Sequence, residues 1–167
     1  MNDERNKLNN PYFIKNFEFK DNRGILIKNF FESDLKDFNV KESTITFSKK
    51  NSVRGLHFQI ENEQAKIVSL IKGEIIDFCL DIRKNSSNYG KIFVYKIYKK
   101  NQSLLVPKGF AHGYYSAKKS IVNMFYDELT NQSQNGFSII PYLKKEKIFN
   151  EKIIFSLNDK NLKIFKG

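Results

Sequence analysis

The sequence predicts an all-β protein, an antiparallel sandwich or barrel in which helix forms only in small pieces. Apolar and polar residues alternate with a period of two through many short runs, which is typical of half-buried strands. Clusters of Asn, Asp, Gly, Ser and Pro separate these runs at short intervals. No long stretch has helical periodicity, so the pattern indicates antiparallel strands rather than strands alternating with helices.

The clearest strand is Ile75–Arg83, whose side chains alternate between an apolar and a polar face. Ile76, Phe78, Leu80 and Ile82 lie on one face, and Asp77, Cys79, Asp81 and Arg83 lie on the other. Lys66–Lys72 is another apolar run, joined to the first by a hairpin-like turn at Gly73-Glu74. Asp77 belongs either to a solvent face or to the interior of a small barrel, where it could take part in a site.

Similar runs predict the remaining strands, which are Ile25–Phe31, Ser43–Phe47, Lys91–Tyr98, Ser103–Val106, Gly113–Ser116 and Ile121–Tyr126. Two short helices are expected, at Glu32–Phe38 and Ser156–Phe165. In the second helix Ser156 is the predicted N-cap, and Asp159 follows three residues later in the manner of a capping box.

The chain of 167 residues and 19.7 kDa is expected to form one domain with a real core. Residues 1–12 are expected to be an N-terminal extension, and residues 142–167 a C-terminal segment that packs on the barrel. A single cysteine, Cys79, excludes an internal disulfide. With no apolar run long enough to cross a bilayer and no secretion signal, we expect a cytoplasmic protein without a membrane partner.

The formal net charge of +11 comes mainly from lysine, since only four of the 29 basic residues are arginines. Abundant Lys, Asn and Ile are what AT-rich codons produce, which favours a charge spread over a solvated surface. The alternative is attraction of an anionic ligand, either a phosphorylated metabolite or a nucleic acid. Nucleic acid is not expected, because the sequence has no zinc-finger spacing, helix-turn-helix pattern or aromatic RNA-binding signature.

The chain has two histidines, His57 and His112, in separate segments that both follow strand-like runs. A metal site needs three or four converging ligands, so two isolated imidazoles and one cysteine are too few. No metal and no other cofactor is therefore expected. The histidines instead point to chemistry in which an imidazole moves protons.

By its spacing alone, His57 fits a hydrogen-bonded core histidine. Its neighbours favour another interpretation, because Arg54 lies three residues before it, Lys66 follows nine residues later and Tyr126 ends a later strand. A base, an ammonium and a phenol form a minimal set for removing a proton α to a carbonyl. Arg54 adds a bidentate group suited to phosphate.

Several motifs together resemble one family, the dTDP-4-dehydrorhamnose 3,5-epimerases, which are metal-free members of the cupin superfamily. The resemblance covers about residues 18–160 and is densest over 52–126. It implies an antiparallel jelly-roll (cupin-like) barrel with short peripheral helices. The motifs are SVRGLHFQ at 52–59, QAKIV at 64–68, GEIID at 73–77, DIRK at 81–84 and VPKGFAHGY at 106–114.

The resemblance implies four catalytic roles. His57 matches the general base that abstracts the protons at C3 and C5, and Asp159 matches the aspartate that orients this histidine. Tyr126 matches the acid that returns a proton to the sugar. Lys66 matches the cation beside the oxygen of the developing enolate.

Five further residues are implied in substrate binding. Arg54 and His112 match contacts to the diphosphate and sugar, Gln59 is expected beside them, and Asp77 matches an acidic position in the barrel interior. Arg23 matches an arginine that reaches into a neighbouring subunit's site, which implies a homodimer.

The departures from the family pattern concern the nucleotide base rather than proton transfer. Leu26 and Lys28 stand where the family has an aromatic residue and a glutamate that helps to hold thymine. Asp127 replaces a lysine, the tyrosine pair that stacks on the base is missing from 129–132, and a tryptophan-containing segment is replaced at 137–140.

The predicted function is epimerisation at C3, C5 or both of a nucleotide-linked 4-keto-6-deoxyhexose. Alternatives are an epimerase of one carbon on a non-thymidine nucleotide and a sugar 3,4-ketoisomerase, although ketoisomerases tend to carry a second histidine where Gln59 stands. A metal-dependent cupin oxygenase would use the segment around His112, but half of its site is missing. A non-catalytic nucleotide-sugar binder would not need the proton-transfer set.

Overall fold

The computed structural model describes residues 9–31, 33, 35 and 38–167, and nearly all of its regular secondary structure is antiparallel β-strand. The predicted all-β antiparallel class is confirmed. The helix predicted for Glu32–Phe38 lies mostly outside the described residues. In chain order the elements are β1 (Tyr12–Lys15), β2 (Phe17–Asp21), β3 (Gly24–Lys28), β4 (Glu42–Ser48), β5 (Val53–Gln59), β6 (Lys66–Lys72), β7 (Ile75–Asp81), β8 (Ile92–Ile97), β9 (Gln102–Val106), β10 (Phe110–Ser116), β11 (Ser120–Tyr126), β12 (Gln134–Gly136), α1 (Ile140–Lys145) and α2 (Leu157–Lys160).

Two five-stranded sheets form the body of the described structure. The first sheet has the order β1-β9-β6-β11-β4, and the second has the order β12-β5-β10-β7-β8. A separate hairpin, β2–β3, lies between β1 and β4 in the chain. All of the strand pairs are antiparallel. From β4 to β7 successive strands alternate between the two sheets, so strands far apart in the chain, such as β6 and β11, become neighbours, as in a jelly roll. Among the described residues, no helix is long and apolar enough to span a membrane.

Several element boundaries differ from the sequence-based expectations. The predicted strand Ile25–Phe31 ends early, at Lys28, and the predicted helix at Ser156–Phe165 is a single turn, although Ser156 is its N-cap as expected and accepts a hydrogen bond from the Asp159 amide. The strands β1, β2 and β12 and the helix α1 were not predicted. For α1 a signal existed, because Pro141 stands in its first turn.

Both faces of the second sheet are buried. Cys79 faces the other sheet across the main core, whereas Phe78 and Leu80 lie on the outer face, under α1 and the chain that follows it. Leu143 of α1 is fully buried there. The alternation seen in the sequence is therefore correct, but its polar face points into the sandwich and its apolar face is covered by the C-terminal segment.

Two glycines allow β5 and β10 to approach closely. Gly55 has φ of +97°, and a Cβ at this position would lie 2.5 Å from the carbonyl oxygen of His112. A Cβ on Gly113 would collide with the carbonyl oxygen of Arg54. The approach brings His57 opposite His112 in the strand register, so the two histidines that are far apart in sequence share one wall.

We expect Phe78→Ala to lower the free energy of unfolding by about 3–5 kcal/mol, because the ring is fully buried and its loss leaves a cavity. Urea denaturation followed by circular dichroism measures the change. Leu157→Ala is the matched control, since this side chain is 82% exposed, and its effect should stay within about 0.5 kcal/mol. Equal effects of the two substitutions would contradict the assigned packing.

Candidate active site

A cavity of about 530 Å³ opens between the sheets and holds most of the residues that the sequence singled out. Strands from both sheets line it, together with residues 154–156, 158 and 159 of the C-terminal segment. Of the nine predicted site residues, six line this cavity, namely Arg54, His57, Lys66, His112, Tyr126 and Asp159. Arg23, Gln59 and Asp77 do not.

His57 and Asp159 form a hydrogen-bonded pair at the cavity wall. Nε2 of His57 lies 2.7 Å from Oδ1 of Asp159, and the other carboxylate oxygen accepts a bond from the Gly55 amide at 3.3 Å. The α2 turn, capped by Ser156, holds the carboxylate in place. Since the carboxylate takes one ring nitrogen, Nδ1 is left to exchange a proton with a ligand.

The carboxylate of Asp159 is favoured in its charged form. Its burial alone would raise its pKa, but hydrogen bonding and charge interaction with His57, and bonds from the Gly55 amide and Ser156, outweigh burial and lower the pKa below its ordinary value. At neutral pH the pair therefore presents an ionised carboxylate to the imidazole, which fixes the orientation of the ring.

Lys66 is a cation almost without contact with solvent. Its side chain is 5% exposed, and Nζ lies 3.4 Å from the carbonyl oxygen of His57. Burial lowers the pKa of Lys66 to about 8, although Asp77 and Cys79 nearby oppose part of the shift. The ammonium is thus poorly solvated, so it can stabilise negative charge on a neighbouring atom strongly.

Tyr126 lies beside Lys66 because the two residues are directly paired in the register of β11 and β6. Nζ of Lys66 is 5.9 Å from the centroid of the phenol ring. The hydroxyl is 3.3 Å from Oγ1 of Thr44, and burial raises the pKa of Tyr126, so that the phenol keeps its proton. The phenol and the ammonium come from the first sheet and the imidazole from the second, with the cavity between them.

Arg54 is positioned by a network that sequence reasoning missed. Its Nε donates to Oγ of Ser48 at 3.1 Å, and that hydroxyl is 3.2 Å from the hydroxyl of Tyr114, which is 2.7 Å from Oγ1 of Thr46. Thr44 joins the same polar row. A signal existed, since Thr44, Thr46 and Ser48 alternate along β4. Their inward direction was not evident, because Ile45 and Phe47 between them are apolar.

The inner wall next to the cavity is polar as well. Nε2 of His112 is 2.8 Å from Oδ2 of Asp77, whose other oxygen accepts a bond from the thiol of Cys79 at 3.3 Å. Asp77 and Cys79 have no exposed surface. Asp77 therefore lies in the barrel interior rather than on a solvent face, and its contact with His112 links it to the cavity wall.

Gln59 departs from the expected substrate contact. Its amide nitrogen donates to the carbonyl oxygens of Asn62 and Leu129, and its oxygen accepts a bond from the Asn131 amide at 2.7 Å. Both ends of this buried side chain are therefore used to hold the loop after β11. The period-two pattern of β5 directs Gln59 and His57 to the same face, but Gln59 lies two residues further along the strand and does not line the cavity.

Arg23 lies in the β2–β3 turn, and it does not line the cavity between the sheets. Its guanidinium is 83% exposed and forms an ion pair with Asp21. A second hollow, of about 260 Å³, is lined by Arg23 and apolar residues of the same hairpin. Within one chain, Arg23 does not contribute to the cavity between the sheets.

Comparison with known proteins relates the chain to one family. A family model described as dTDP-4-dehydrorhamnose 3,5-epimerase matches residues 5–166. The chain belongs to this epimerase family. Its membership confirms the resemblance drawn from the motifs, and with it the expected class of enzyme.

Individual relatives agree with this assignment. The dTDP-4-dehydrorhamnose 3,5-epimerase of Methanothermobacter thermautotrophicus is 32% identical over 131 residues, which is 75% of this chain and 71% of that protein. The crystal structure of the Sulfolobus tokodaii enzyme of the same name is 30% identical, with a TM-score of 0.79 over 92% of this chain and 89% of that one. The Bacillus anthracis enzyme with TDP and PPi bound is 25% identical, with a TM-score of 0.82 over 95% and 96% of the two chains.

The lowered pKa of Asp159 predicts a pH-dependent contribution to stability. The ionised carboxylate stabilises the folded state above the ordinary pKa of about 3.8, and the contribution is lost as the pH falls through the lower folded value. We expect Asp159→Asn to cost about 1–2 kcal/mol at pH 7 and progressively less below pH 4. Unfolding curves of both proteins between pH 3 and 7 measure this, and a constant difference would contradict it.

Proposed function

We propose that this protein epimerises a dTDP-linked 4-keto-6-deoxyhexose at C3, C5 or both. The observation that carries the proposal is that one cavity has the His57 imidazole on one sheet and the Lys66 ammonium with the Tyr126 phenol on the other. Family membership supports the substrate class, since the relatives are named for a dTDP-4-keto sugar. The C4 ketone acidifies the C–H bonds on both of its sides, so a single set of residues can serve both carbons.

The first step is removal of a proton by His57. Nδ1 takes the proton from the carbon next to the ketone, and the electron pair moves into the carbonyl to form an enolate. Asp159, hydrogen-bonded to Nε2, orients the ring and stabilises the imidazolium that forms. The arrangement is the histidine–carboxylate pair used by other proton-transfer sites.

Lys66 stabilises the enolate, and Tyr126 completes the inversion. The buried ammonium faces the oxygen that becomes negative, where low solvation makes its charge effective. Tyr126 keeps its proton because burial raises its pKa, so it can donate this proton to the opposite face of the carbon. Delivery from the face opposite to His57 inverts the stereocentre.

Arg54 is proposed to hold the diphosphate. Ser48 accepts the hydrogen bond from its Nε, which leaves the two terminal nitrogens of the exposed guanidinium for phosphate oxygens. The bound TDP and PPi in the Bacillus anthracis relative support a diphosphate ligand of this kind. His112, fixed by Asp77, lines the same cavity as a sugar contact.

We expect His57→Asn to slow the exchange of substrate C–H for solvent deuterium by about 10²–10⁴-fold, because no other base replaces the imidazole. Proton NMR of a dTDP-linked 4-keto-6-deoxyhexose in D₂O follows C3 and C5 separately, which also shows whether one or both carbons react. Lys99→Ala, an exposed substitution away from the cavity, is the control and should exchange at the wild-type rate. Unchanged exchange in His57→Asn would remove this residue from the mechanism.

The pKa of Lys66 predicts the alkaline side of the pH profile. As the pH rises through about 8, the ammonium loses its proton and can no longer stabilise the enolate, so kcat/KM of the free enzyme should fall. Lys66→Gln should lower kcat by about 10²–10³-fold and remove this limb. Initial rates between pH 6 and 10 for both proteins test this assignment. If the alkaline fall of kcat/KM persists in Lys66→Gln, another group causes it.

The protein is further proposed to act as a homodimer in which Arg23 completes the partner's site. The hairpin that carries Arg23 has half-exposed apolar side chains, and the edge strand β4 turns Ile45 and Phe47 outward. Exposed apolar residues on a projecting hairpin and on a sheet edge are typical of surfaces that become covered by another chain. The exposed position of Arg23 in its own chain agrees with a role in trans.

A heterodimer with one Arg23→Ala chain and one His57→Asn chain tests this proposal. If each site combines His57 of one chain with Arg23 of the other, one of the two sites is intact, and about half of the wild-type activity returns. Two affinity tags separate the heterodimer from the two weakly active parent dimers. Activity that stays at the level of a weak Arg23→Ala parent would show that Arg23 acts within its own chain, and a fully active Arg23→Ala parent would show that Arg23 has no role.

A further inference from the structure

Three buried side chains converge on the inner wall of the barrel, beside the proposed active site. They are Asp77, Cys79 and His112, and one potential ligand atom from each lies within 4.8 Å of the other two. His112 on β10 stands directly opposite Cys79 on β7, and Asp77 precedes Cys79 by two residues on the same face. The hydrogen-bonded register of two central strands therefore fixes the cluster.

The donor set suits a divalent transition-metal ion. A thiolate, an imidazole and a carboxylate are the ligands that Zn²⁺ uses, and three protein ligands leave a fourth position open. Bond lengths of about 2.0–2.3 Å place tetrahedral ligands about 3.3–3.8 Å apart. In the structure, Nε2 of His112 lies 2.8 Å from Oδ2 of Asp77, and Sγ of Cys79 lies 3.3 Å from Oδ1 of the same carboxylate, so the three side chains are close to these separations.

The charge balance and the access route also fit. On binding, the S–H bond of Cys79 breaks, the sulfur bonds to the metal, and the proton leaves to water, so a thiolate and the Asp77 carboxylate neutralise a divalent ion. Asp77 and Cys79 have no exposed surface, but His112 lines the cavity, and an ion can enter from that side. Simple counting of His and Cys in the sequence missed the site, because the carboxylate ligand is contributed by the fold.

We propose that Asp77, Cys79 and His112 form a binding site for Zn²⁺ and similar divalent ions, and that its occupation inhibits the enzyme. The inhibition rests on the proposed function, since the metal takes up the imidazole assigned there to the sugar and places an ion at the cavity wall. The binding itself does not rest on that function.

Co²⁺ titration of the chelator-treated protein tests the binding. Since Cys79 is the sole cysteine of the chain, a thiolate-to-cobalt absorption band can arise from this residue alone. We expect one equivalent of Co²⁺ to produce the band and one equivalent of Zn²⁺ to remove it. Cys79→Ala should abolish the band, and His112→Asn, which keeps the thiol, should weaken Co²⁺ binding about 100-fold.

Two outcomes would overturn the proposal: no thiolate band in the folded wild-type protein, or a band of equal affinity in His112→Asn and Asp77→Asn, which would mean that the thiol binds the ion without the cluster. Circular dichroism confirms folding of each variant. In a separate activity assay, Zn²⁺ should inhibit the wild type, whereas the rate of Cys79→Ala should be the same with and without Zn²⁺. If this protein has no epimerase activity, the proposed function is refuted. The cobalt titration would still test whether Asp77, Cys79 and His112 bind the ion.

Discussion

The geometry of the cavity depends on the packing of the C-terminal segment against the outer face of the second sheet. Phe78 is buried there beneath α1, where Leu143 is also buried. From this anchor the chain returns to the start of β5, where Ile154 pairs with Ser52. The next turn brings Asp159 within 2.7 Å of His57. Hydrophobic burial on the outer face of this sheet thus positions the segment that carries the Asp159 carboxylate.

The interior of the sandwich is divided between an apolar core and a polar end. Val68, Leu104 and Val122 fill the core, whereas Lys66 and Asp77 place opposite charges near the cavity. Buried charges are costly unless partners satisfy them. Among the described residues, no buried side-chain nitrogen or oxygen lacks a hydrogen-bond partner. This balance lets the protein keep a poorly solvated ammonium beside its proposed substrate, which is the condition for strong stabilisation of an enolate.

Strands β4 and β5 show why the local sequence pattern was insufficient to predict which side chains line the cavity. On β4 the apolar residues Ile45 and Phe47 point outward and Thr46 points into the cavity, the reverse of the usual arrangement. Gln59 follows His57 on the same face of β5, yet it binds the loop at Leu129 and Asn131 instead of the cavity. Both results depend on which surfaces are covered by other parts of the chain or by the proposed partner. The periodicity of a single strand does not contain that information.

By itself, the sequence determined the antiparallel class, most strand positions and the set of residues suited to proton transfer, because alternation and motif spacing are local properties. Only the tertiary structure decided which of these residues meet. It placed His57 opposite Lys66 and Tyr126 across one cavity, and it joined Asp77 to His112 at the inner wall. Such contacts arise from strand order and register between segments far apart in the chain, which no local pattern specifies.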